Sequence, residues 1–368
     1  MDKISFIDLK SQYKLYKEEI DSSIQNVIDS SAFILGEEVR KLESNLSNYI
    51  GSKYCVSCSS GTDALYIVLC ALDINPGDEI ITTPFSFFAT SEVIALKNAK
   101  PVFADIEEDS YNIDYTKIEK LITKKTKAII PVSLYGQPAD MEEINKIAEK
   151  YNLFVIEDAA QSFGATYKNK KSCNLSQFGC TSFYPAKPLG CYGDGGAVFT
   201  NDDYYADKIR QIMNHGQSSV YKHKYIGING RLDAIQAAVL NVKLKYYDKE
   251  IEQRAAVAQK YDDLFKNNSN VISPLIKKDR TSVYAQYSIR IKNREEVVKK
   301  LNESGIPTAI HYPETLYNQE ALSYLKVDPS KFPVAEKVKK EILSLPMNLF
   351  LKEDQEEFMF KKLSEIIK

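Results

Sequence analysis

Short apolar runs rich in β-branched residues alternate with amphipathic stretches along the chain as far as residue 213. This alternation is typical of strands joined by helical crossovers, which produce a mainly parallel sheet covered by helices on both faces. The predicted strands are residues 53–57, 79–83, 101–105, 128–134, 154–157, 180–184 and 197–200. The helical stretches between them include residues 63–72, 86–96, 141–151 and 204–213. The pattern therefore predicts an α/β fold.

The remainder of the chain predicts a second, smaller domain. Residues 232–264 contain neither proline nor glycine and have the apolar spacing of a helix. We therefore expect one long helix that bridges two domains. A strand at 283–291 and a helix at 294–304 follow, and two further strand–helix alternations complete an α+β unit. We predict a large domain at 1–245, which includes an amino-terminal segment, and a small domain at 246–368.

Composition and charge restrict the class of protein. The 368 residues are 44% hydrophobic, which is enough for a large core and a second domain. The net charge of −2 gives no electrostatic basis for binding nucleic acid or an anionic membrane. No apolar run approaches the roughly 20 residues of a membrane helix, and the amino terminus does not resemble a signal peptide. These features predict a cytoplasmic enzyme.

The cysteines indicate a reducing environment and no metal site. Cys55 and Cys58 have the spacing of a metal or redox pair, but no second pair follows at the spacing of a zinc ribbon. Residues three apart on a strand also point to opposite faces. We therefore predict reduced, buried thiols. The six cysteines are Cys55, Cys58, Cys70, Cys173, Cys180 and Cys191.

Two residues suggest the chemistry. Asp158 follows a buried strand, so it should lie at the carboxyl end of the sheet, where α/β proteins bind ligands. The strand at 180–184 brings Lys187 to the same region. An amine and an acid placed in this way suit pyridoxal phosphate, because the amine forms a Schiff base with the aldehyde and the carboxylate keeps the pyridine nitrogen protonated. Considered alone, the two residues favour an ordinary ion pair.

Two motifs after neighbouring strands extend this hypothesis. The segment SSGTD at 59–63 lies where a strand turns into a helix, and free amides at a helix start can bind a phosphate. A plain helix cap explains these residues equally well, since the lysine of a Walker loop is missing. The segment PFSFFAT at 84–90 places Phe87 and Phe88 at a strand end. One of them could stack on a flat cofactor ring, and core packing is expected for the other.

Taken together, the motifs resemble the sugar-nucleotide aminotransferases of the DegT/DnrJ type. These are pyridoxal-phosphate enzymes with the aspartate aminotransferase fold (fold type I), which has a large domain with a mainly parallel seven-stranded sheet and a smaller C-terminal α+β domain. The resemblance extends from Phe6 to the last helix, and the combined motifs are far more specific than any one of them. In chain order they are SSGTDAL, PFSFFAT, VIEDAAQ, SFYPAKPLG, GDGG, NHG and GINGRLDAIQAA.

The resemblance implies the roles of the cofactor-binding residues. Lys187 would hold pyridoxal 5'-phosphate as a Schiff base and then move the proton between the substrate carbon and the cofactor. Asp158 would pair with the pyridinium nitrogen. The other contacts would be Gln161 to the ring hydroxyl, Phe87 on the ring face, and Gly61, Thr62, Ser182 and, from a second subunit, Asn229 to the phosphate. The contact from a second subunit implies an obligate homodimer with shared active sites.

The resemblance also implies the substrate-binding residues Arg231, His311 and Tyr312. A structural role is an equal alternative for His311 and for Arg231, which could simply brace the helix that follows it. The family often has histidine where this chain has Tyr317, so a substrate contact from that position is in doubt. A dehydratase branch of the family replaces the lysine with histidine, and Lys187 therefore places this chain with the aminotransferases.

Three stretches most resemble aminotransferases of UDP-linked 2-acetamido-3-keto-hexuronic acids, which use L-glutamate in the biosynthesis of bacterial surface polysaccharide such as O-antigen. They are residues 172–176, 188–196 and 282–287. A uronate carboxylate would suit a basic contact, for which Arg231 is the candidate, although Arg231 could instead bind the diphosphate. The alternatives are a dTDP- or UDP-linked 3-keto- or 4-keto-6-deoxyhexose as substrate, a regulatory protein of the same fold, or another pyridoxal enzyme such as a desulfurase.

Overall fold

The structure is a computed structural model that describes residues 4–367, and strands alternate with helices through most of it. The strands, in chain order, are β1 Tyr54–Cys58, β2 Glu79–Thr82, β3 Lys100–Phe103, β4 Thr126–Ile130, β5 Phe154–Asp158, β6 Thr166–Tyr167, β7 Lys170–Lys171, β8 Phe178–Ser182, β9 Gly196–Thr200, β10 Gln217–Ser219, β11 Lys222–His223, β12 Val271–Ile272, β13 Tyr287–Ile291 and β14 Ile342–Leu345. The helices are α1 Leu9–Ser30, α2 Glu37–Ile50, α3 Gly61–Ala71, α4 Ala89–Leu96, α5 Met141–Tyr151, α6 Asp203–Ile212, α7 Ala234–Leu244, α8 Tyr247–Phe265, α9 Arg294–Glu303, α10 Pro333–Glu341 and α11 Glu353–Ile366.

The large sheet has seven strands in the order β1-β9-β8-β5-β4-β2-β3. The pairs from β8 to β3 are parallel, whereas β9 is antiparallel to both β8 and β1. Because β9 is antiparallel to both of its neighbours, β1 runs in the same direction as β8. The carboxyl ends of β1, β2, β5 and β8 therefore lie along one edge of the sheet. The segments that follow them are the ones in which the sequence predicts the site.

The prediction of a mainly parallel sheet between helices is confirmed, and all seven predicted strands are present. The largest error is at β4, which ends at Ile130 rather than at residue 134. Pro131 follows at once and has no amide hydrogen to continue the ladder. Successive side chains of a strand point to opposite faces of the sheet, and each face has its own apolar core. On β2, Ile80 packs in the cluster that includes α3, whereas Ile81 packs in the cluster that includes α5.

Cys55 and Cys58 lie on opposite faces of β1, as predicted, in the clusters that include α7 and α3 respectively. None of the six cysteines forms a disulfide in the structure as described for residues 4–367. Five are buried, and Cys70 is half-buried. The two cysteines of the pair are therefore core side chains and do not point toward a shared ligand.

The prediction of one long helix at 232–264 is wrong, because α7 and α8 are separated at Lys245 and Tyr246. Neither proline nor glycine causes the break. Tyr246 stacks on Tyr16 of α1 with ring centroids 4.4 Å apart, and Lys245 forms an ion pair of 2.7 Å with Glu19 of α1. At the break the backbone of Tyr246 has φ −107° and ψ −1°, at the edge of the right-handed helical region, and these contacts hold it to α1. Tertiary contacts have overridden local helix propensity.

The C-terminal region has a separate antiparallel sheet in the order β12-β13-β14, packed with α9 and α11 around its own core. After α9 we expected two strand–helix alternations, but only β14 follows as a strand within residues 4–367. Pro307 and Pro313 limit the preceding segment to an isolated bridge between Ala309 and Ser344.

The predicted domain boundary at 245 and 246 coincides with the break between α7 and α8 and stays a prediction. Tyr247 at the start of α8 packs in the core of the large sheet, whereas Tyr261 and Phe265 pack in the small core. Ile4 also joins the small core, so the amino-terminal residues cross to that unit. In the described chain, no helix combines the length and apolarity needed to cross a membrane.

Candidate active site

Asp158 is the last residue of β5 and lies almost completely buried at the carboxyl edge of the large sheet. Its Oδ2 accepts a hydrogen bond of 2.8 Å from Thr90 Oγ1, and its Oδ1 accepts one of 3.3 Å from the amide of Ala160. Burial raises the pKa of Asp158, and these hydrogen bonds and the nearby charge of Lys187 act in the opposite direction. A buried acid held in this way is suited to receive a cation.

Lys187 lies in the loop after β8, beside the strand that ends in Asp158. Burial lowers the pKa of the Lys187 amine, and the carboxylate of Asp158 opposes this effect. The ammonium has no hydrogen bond and no ion pair with any residue between 4 and 367. The ordinary ion pair between Lys187 and Asp158, which the two residues alone favoured, is therefore not formed, although their charges interact. A lysine with a lowered pKa and a free amine is a suitable nucleophile for a carbonyl group.

The segment at 59–63 begins α3 beside the carboxyl end of β8. Ser60 caps the helix, because its Oγ accepts a hydrogen bond of 3.0 Å from the amide of Asp63. The amides of Gly61 and Thr62 have no backbone or side-chain acceptor within residues 4–367. Gly61 is packed closely, since a Cβ at this position would lie 2.6 Å from Ser182 Cβ. The cap explanation and the anion-site explanation are therefore compatible: the serine caps the helix, and two amides stay free for an anion.

Aromatic side chains line the same edge. Phe87 is 56% exposed, whereas Phe88 packs against a core cluster, so the two phenylalanines divide as predicted. The ring of Phe87 lies 6.3 Å from that of Tyr312, which comes from the C-terminal part of the chain. Gln161 Nε2 donates to Tyr312 Oη at 3.1 Å. The structure therefore brings Phe87, Gln161 and Tyr312 together beside Asp158.

His311 is half-buried next to Tyr312, and its Nδ1 lies 2.9 Å from Ser344 Oγ. Burial lowers the pKa of His311, and the positive charge of Lys187 lowers it further. His311 is therefore neutral at neutral pH and lies within electrostatic range of the lysine.

Asn229 and Arg231 lie on a segment that pairs with the end of β1 through a bridge between Cys58 and Arg231. Asn229 is exposed, and whether it contacts a second subunit stays a prediction. Arg231 Nη1 donates to Asn214 Oδ1 at 2.6 Å, but its buried Nε has no partner in the described part of the chain. Because a buried donor without an acceptor is costly, this guanidinium is a candidate to bind an anion.

Tyr317 is a core residue. It is 4% exposed, its ring packs against Phe103 and Phe332, and its hydroxyl donates to Glu336 at 2.7 Å. These contacts turn it away from the site and give no support to a substrate contact.

Sequence analysis missed two residues of the site, Thr90 and Tyr135. Thr90 belongs to the motif at 84–90, and only its position three residues after Phe87 could have indicated in the sequence that it lies in the site. Tyr135 donates its amide to Gln161 Oε1 at 2.8 Å and its hydroxyl to the backbone carbonyl of His311. No local pattern marks Tyr135, because its partners are distant in the sequence.

Similarity to known proteins agrees with this geometry. The DegT/DnrJ/EryC1/StrS aminotransferase family matches residues 14–364. The chain belongs to this family. The predictions of an aminotransferase and of pyridoxal phosphate as its cofactor are confirmed.

Three relatives illustrate the range of the family. The UDP-2-acetamido-2-deoxy-3-oxo-D-glucuronate aminotransferase of Pseudomonas aeruginosa is 53% identical over 348 residues, covering 95% of this chain and 96% of the relative. A pleiotropic regulatory protein of Geobacillus stearothermophilus is 45% identical, covering 98% of each chain. The dTDP-3-amino-3,6-dideoxy-alpha-D-galactopyranose transaminase of Aneurinibacillus thermoaerophilus is 39% identical, covering 96% of this chain and 97% of the relative.

Two solved structures confirm the fold of this family. A DegT/DnrJ/EryC1/StrS aminotransferase from Brucella abortus has a TM-score of 0.95 and 40% identity, covering 99% of each chain. NtdA from Bacillus subtilis, solved with bound pyridoxamine phosphate, has a TM-score of 0.90 and 30% identity, covering 100% of this chain and 86% of that one. The prediction of fold type I is therefore confirmed.

The residues at the carboxyl edge fit pyridoxal phosphate. The free amides of Gly61 and Thr62 suit its phosphate, the exposed face of Phe87 suits its ring, and the buried carboxylate of Asp158 suits a protonated ring nitrogen. When bound, the cofactor supplies an aldehyde, which can accept an amino group, and a ring that withdraws electrons. The chain supplies the amine of Lys187, which can bind the aldehyde covalently and, when released, accept or return a proton.

Proposed function

We propose that this protein transfers the amino group of L-glutamate to the C3 keto group of a UDP-linked 2-acetamido-3-keto-hexuronic acid. The product would be a 2,3-diamino sugar for bacterial surface polysaccharide such as O-antigen, made in the cytoplasm. The 53% identity to the Pseudomonas aeruginosa enzyme supports the keto-uronate as substrate. The roles assigned to Asn229, Arg231, His311, Tyr312 and the cofactor-binding residues are part of this proposal.

One structural feature, at Arg231, supports a substrate with a carboxylate. Arg231 has a buried Nε without a partner, and it lies beside the segment at 59–63 because the amide of Ser59 donates to the carbonyl of Gly230 at 2.9 Å. A uronate carboxylate could accept the free N–H in a charge-assisted hydrogen bond. A 6-deoxy sugar has no carboxylate at this place. The diphosphate of the substrate is the other possible ligand of Arg231.

We also propose that the protein acts as a homodimer with shared active sites. Large apolar side chains that precede Asn229 in the sequence, or that pair with the residues after it, are exposed to solvent in the single chain. Tyr221 is 90% exposed and Ile226 is 95% exposed, and Phe33 and Ile34 lie on a segment that pairs with Asp233 and Ala234. Exposed apolar side chains of this size are typical of protein interfaces, and a second copy of the chain would cover them.

Comparison of two substrate types tests the proposed substrate. The UDP-linked 3-keto-hexuronate and a dTDP-linked 3-keto-6-deoxyhexose are supplied at equal concentration with glutamate, and release of 2-oxoglutarate is measured. We expect a higher kcat/KM for the uronate. Arg231→Ala should remove most of this preference, and Arg231→Lys should restore only part of it, since lysine keeps the charge but not the planar fork. Faster amination of the 6-deoxy sugar by the wild-type protein would overturn the choice.

A non-catalytic regulatory role is the second candidate, because one close relative is named as a regulatory protein. The free amine of Lys187 and the buried Asp158 argue for catalysis, since a binding module needs neither. The two candidates differ in a simple measurement. A catalyst loaded with pyridoxal phosphate should lose its visible absorbance band when glutamate is added, whereas a regulator should keep it.

A further inference from the structure

The loop that carries Lys187 is closed on itself. This segment, residues 183–195, is called the lysine loop below and connects β8 with β9. The amide of Cys191 donates to the carbonyl of Phe183 at 2.8 Å, which joins the two sides of the loop. Lys187 lies between these two residues, and its amide donates to the carbonyl of Tyr184 at 2.8 Å. The position of Lys187 therefore depends on what holds the loop as a unit.

Two side chains of α7 hold the far side of the lysine loop. The ammonium of Lys243 donates to the carbonyl of Gly190 and lies 5.4 Å from the centre of the Tyr192 ring. The amide of Tyr192 donates to Gln236 Oε1 at 2.8 Å. Apolar residues of the loop and of α7 also pack in one core cluster. Helix α7 therefore holds the loop through hydrogen bonds as well as through packing.

A chain of contacts leads from Gly190 to Lys187. A Cβ at position 190 would lie 2.5 Å from the carbonyl oxygen of Pro185 and 2.7 Å from that of Tyr184. No side chain fits there, so the backbone of Gly190 packs directly against this turn. The same carbonyl of Tyr184 accepts the hydrogen bond from the amide of Lys187. A displacement of Gly190 would therefore move the turn that carries Lys187.

The burial of Lys243 indicates a role other than stability. The residue is 3% exposed, and among residues 4–367 its three N–H groups have one hydrogen-bond acceptor, the carbonyl of Gly190. An ammonium taken out of water is costly, and a buried charge is weak evidence of a stabilising role. The hydrogen bond to Gly190 gives this charged group a function in holding the loop.

We propose that Lys243 and Gln236 are positioning residues, which hold the lysine loop so that the amine of Lys187 keeps its place in the site. Both act through the backbone of the loop, since their hydrogen bonds are to Gly190 and Tyr192. The inference rests on the catalytic role that is proposed for Lys187, whereas the way in which the loop is held follows from these contacts alone.

Competitive labelling tests the position of the Lys187 amine. The full-length protein without cofactor receives a trace of isotopically labelled acetic anhydride between pH 6 and 11. Only a neutral amine reacts, so the label found on Lys187 by mass spectrometry at each pH gives its pKa. Burial lowers this pKa by more than the carboxylate of Asp158 raises it. A loosened loop admits water, and we expect Lys243→Met and Gln236→Met each to raise the pKa of Lys187 by about 1.

Two comparisons separate positioning from other effects. Gln236→Met removes no charge, so a change in that variant cannot result from the loss of a nearby cation. Asn241→Leu tests general loosening of the helix, because Asn241 is buried on α7 but forms its hydrogen bonds with Asn45 and Glu38 of α2. This variant should keep the wild-type pKa of Lys187.

The enzyme loaded with cofactor gives a second measurement. Lys243→Met and Gln236→Met should lower kcat about 10- to 100-fold, since a small misplacement of a reacting group has an effect of this size. KM should change little, because neither substitution alters a residue assigned to substrate binding. Lys245→Met should behave as the wild-type protein, since Lys245 pairs with Glu19 on the surface.

Three results would overturn the proposal: an unchanged pKa of Lys187 in both variants, a change in Lys243→Met alone, or an equal change in Asn241→Leu. The second would be a charge effect, and the third would be general loosening. If Lys243→Met does not fold, Gln236→Met decides. Turnover by Lys187→Ala would refute the proposed role of the lysine and leave the labelling result intact, so the two failures are distinguishable.

Discussion

Thr90 Oγ1 donates a hydrogen bond of 2.8 Å to Asp158 Oδ2, and the two residues are 68 positions apart in the sequence. Both are buried, so this bond orients the carboxylate in a place that water does not reach. The carboxylate faces the region of Lys187, and its orientation therefore bears on how well it can hold a protonated ring nitrogen.

Loss of this bond should reduce turnover. Thr90→Val keeps the shape of the side chain but removes the donor, and a hydrogen bond to a charged group contributes about 1.5–3 kcal/mol. We expect kcat/KM to fall about 10- to 100-fold, measured as 2-oxoglutarate release. Ser91→Ala is the control, since the Ser91 hydroxyl is equally buried but has no partner in residues 4–367. Equal losses in the two variants would contradict the role of Thr90.

Replacement of Asp158 should affect the rate more than cofactor affinity. Asp158→Asn keeps the size of the side chain but removes the charge that favours a protonated ring nitrogen. We expect single-turnover rates to fall by several orders of magnitude with saturating cofactor, and a smaller rise in the cofactor Kd. A near-normal rate in Asp158→Asn would show that the assignment is wrong.

Replacement of Lys187 should abolish turnover in a folded protein. Lys187→Ala removes the amine that binds the cofactor aldehyde and moves the proton. Lys187→Arg keeps the positive charge but cannot form the Schiff base, so it should be equally inactive. Circular dichroism checks the fold, and visible absorbance checks covalent attachment. Both variants should still bind pyridoxamine phosphate. Substantial turnover by either one would refute the role of Lys187.

Mixing two inactive variants tests whether the sites are shared between subunits. If Asn229 acts on the cofactor of a partner, a heterodimer of Lys187→Ala and Asn229→Ala contains one site with both residues intact. At equal amounts about half of the refolded dimers are heterodimers, so we expect activity of roughly a quarter of that of the wild-type protein, whereas each variant alone stays inactive. Full activity of a monomer in sedimentation at micromolar concentration would contradict the proposal.

Lys243 should make stability depend on pH. It is buried on α7, its ammonium donates to the carbonyl of Gly190, and burial lowers its pKa from 10.5 to about 8. Between these values the unfolded chain binds the proton and the folded chain does not, so stability should rise with pH, by on the order of 3 kcal/mol in total. Below about pH 8 both states hold the proton, and this contribution no longer changes.

Urea unfolding of the cofactor-free protein at fixed concentration measures this effect between pH 7.5 and 10, a range of about 2.5 units. Lys243→Met should remove most of the rise. Lys245→Met is the control, because Lys245 is exposed just beyond the end of the same helix, and it should keep the rise. An equal slope in wild type and Lys243→Met would show that another group is responsible.

The sequence alone determined the parts of this protein that depend on local pattern. Alternating apolar runs predicted the seven strands of the large sheet, because each run is short and each crossover is helical. Their direction placed Asp158 and Lys187 at one edge, and the motif at 59–63 placed the start of a helix beside them. Resemblance between motifs then predicted the family, which similarity to known proteins confirmed.

Only the tertiary structure decided the contacts between distant segments. Thr90 reaches Asp158, and Tyr135 reaches His311 across 176 positions, because packing of the sheet, loops and small domain brings them within hydrogen-bonding distance. The break between α7 and α8 has the same origin, since Tyr246 is held by α1. Local propensities differ by less than about 1 kcal/mol per ordinary residue, so a few such contacts outweigh them. A sequence pattern records which residues are neighbours along the chain, and these contacts depend on which are neighbours in space.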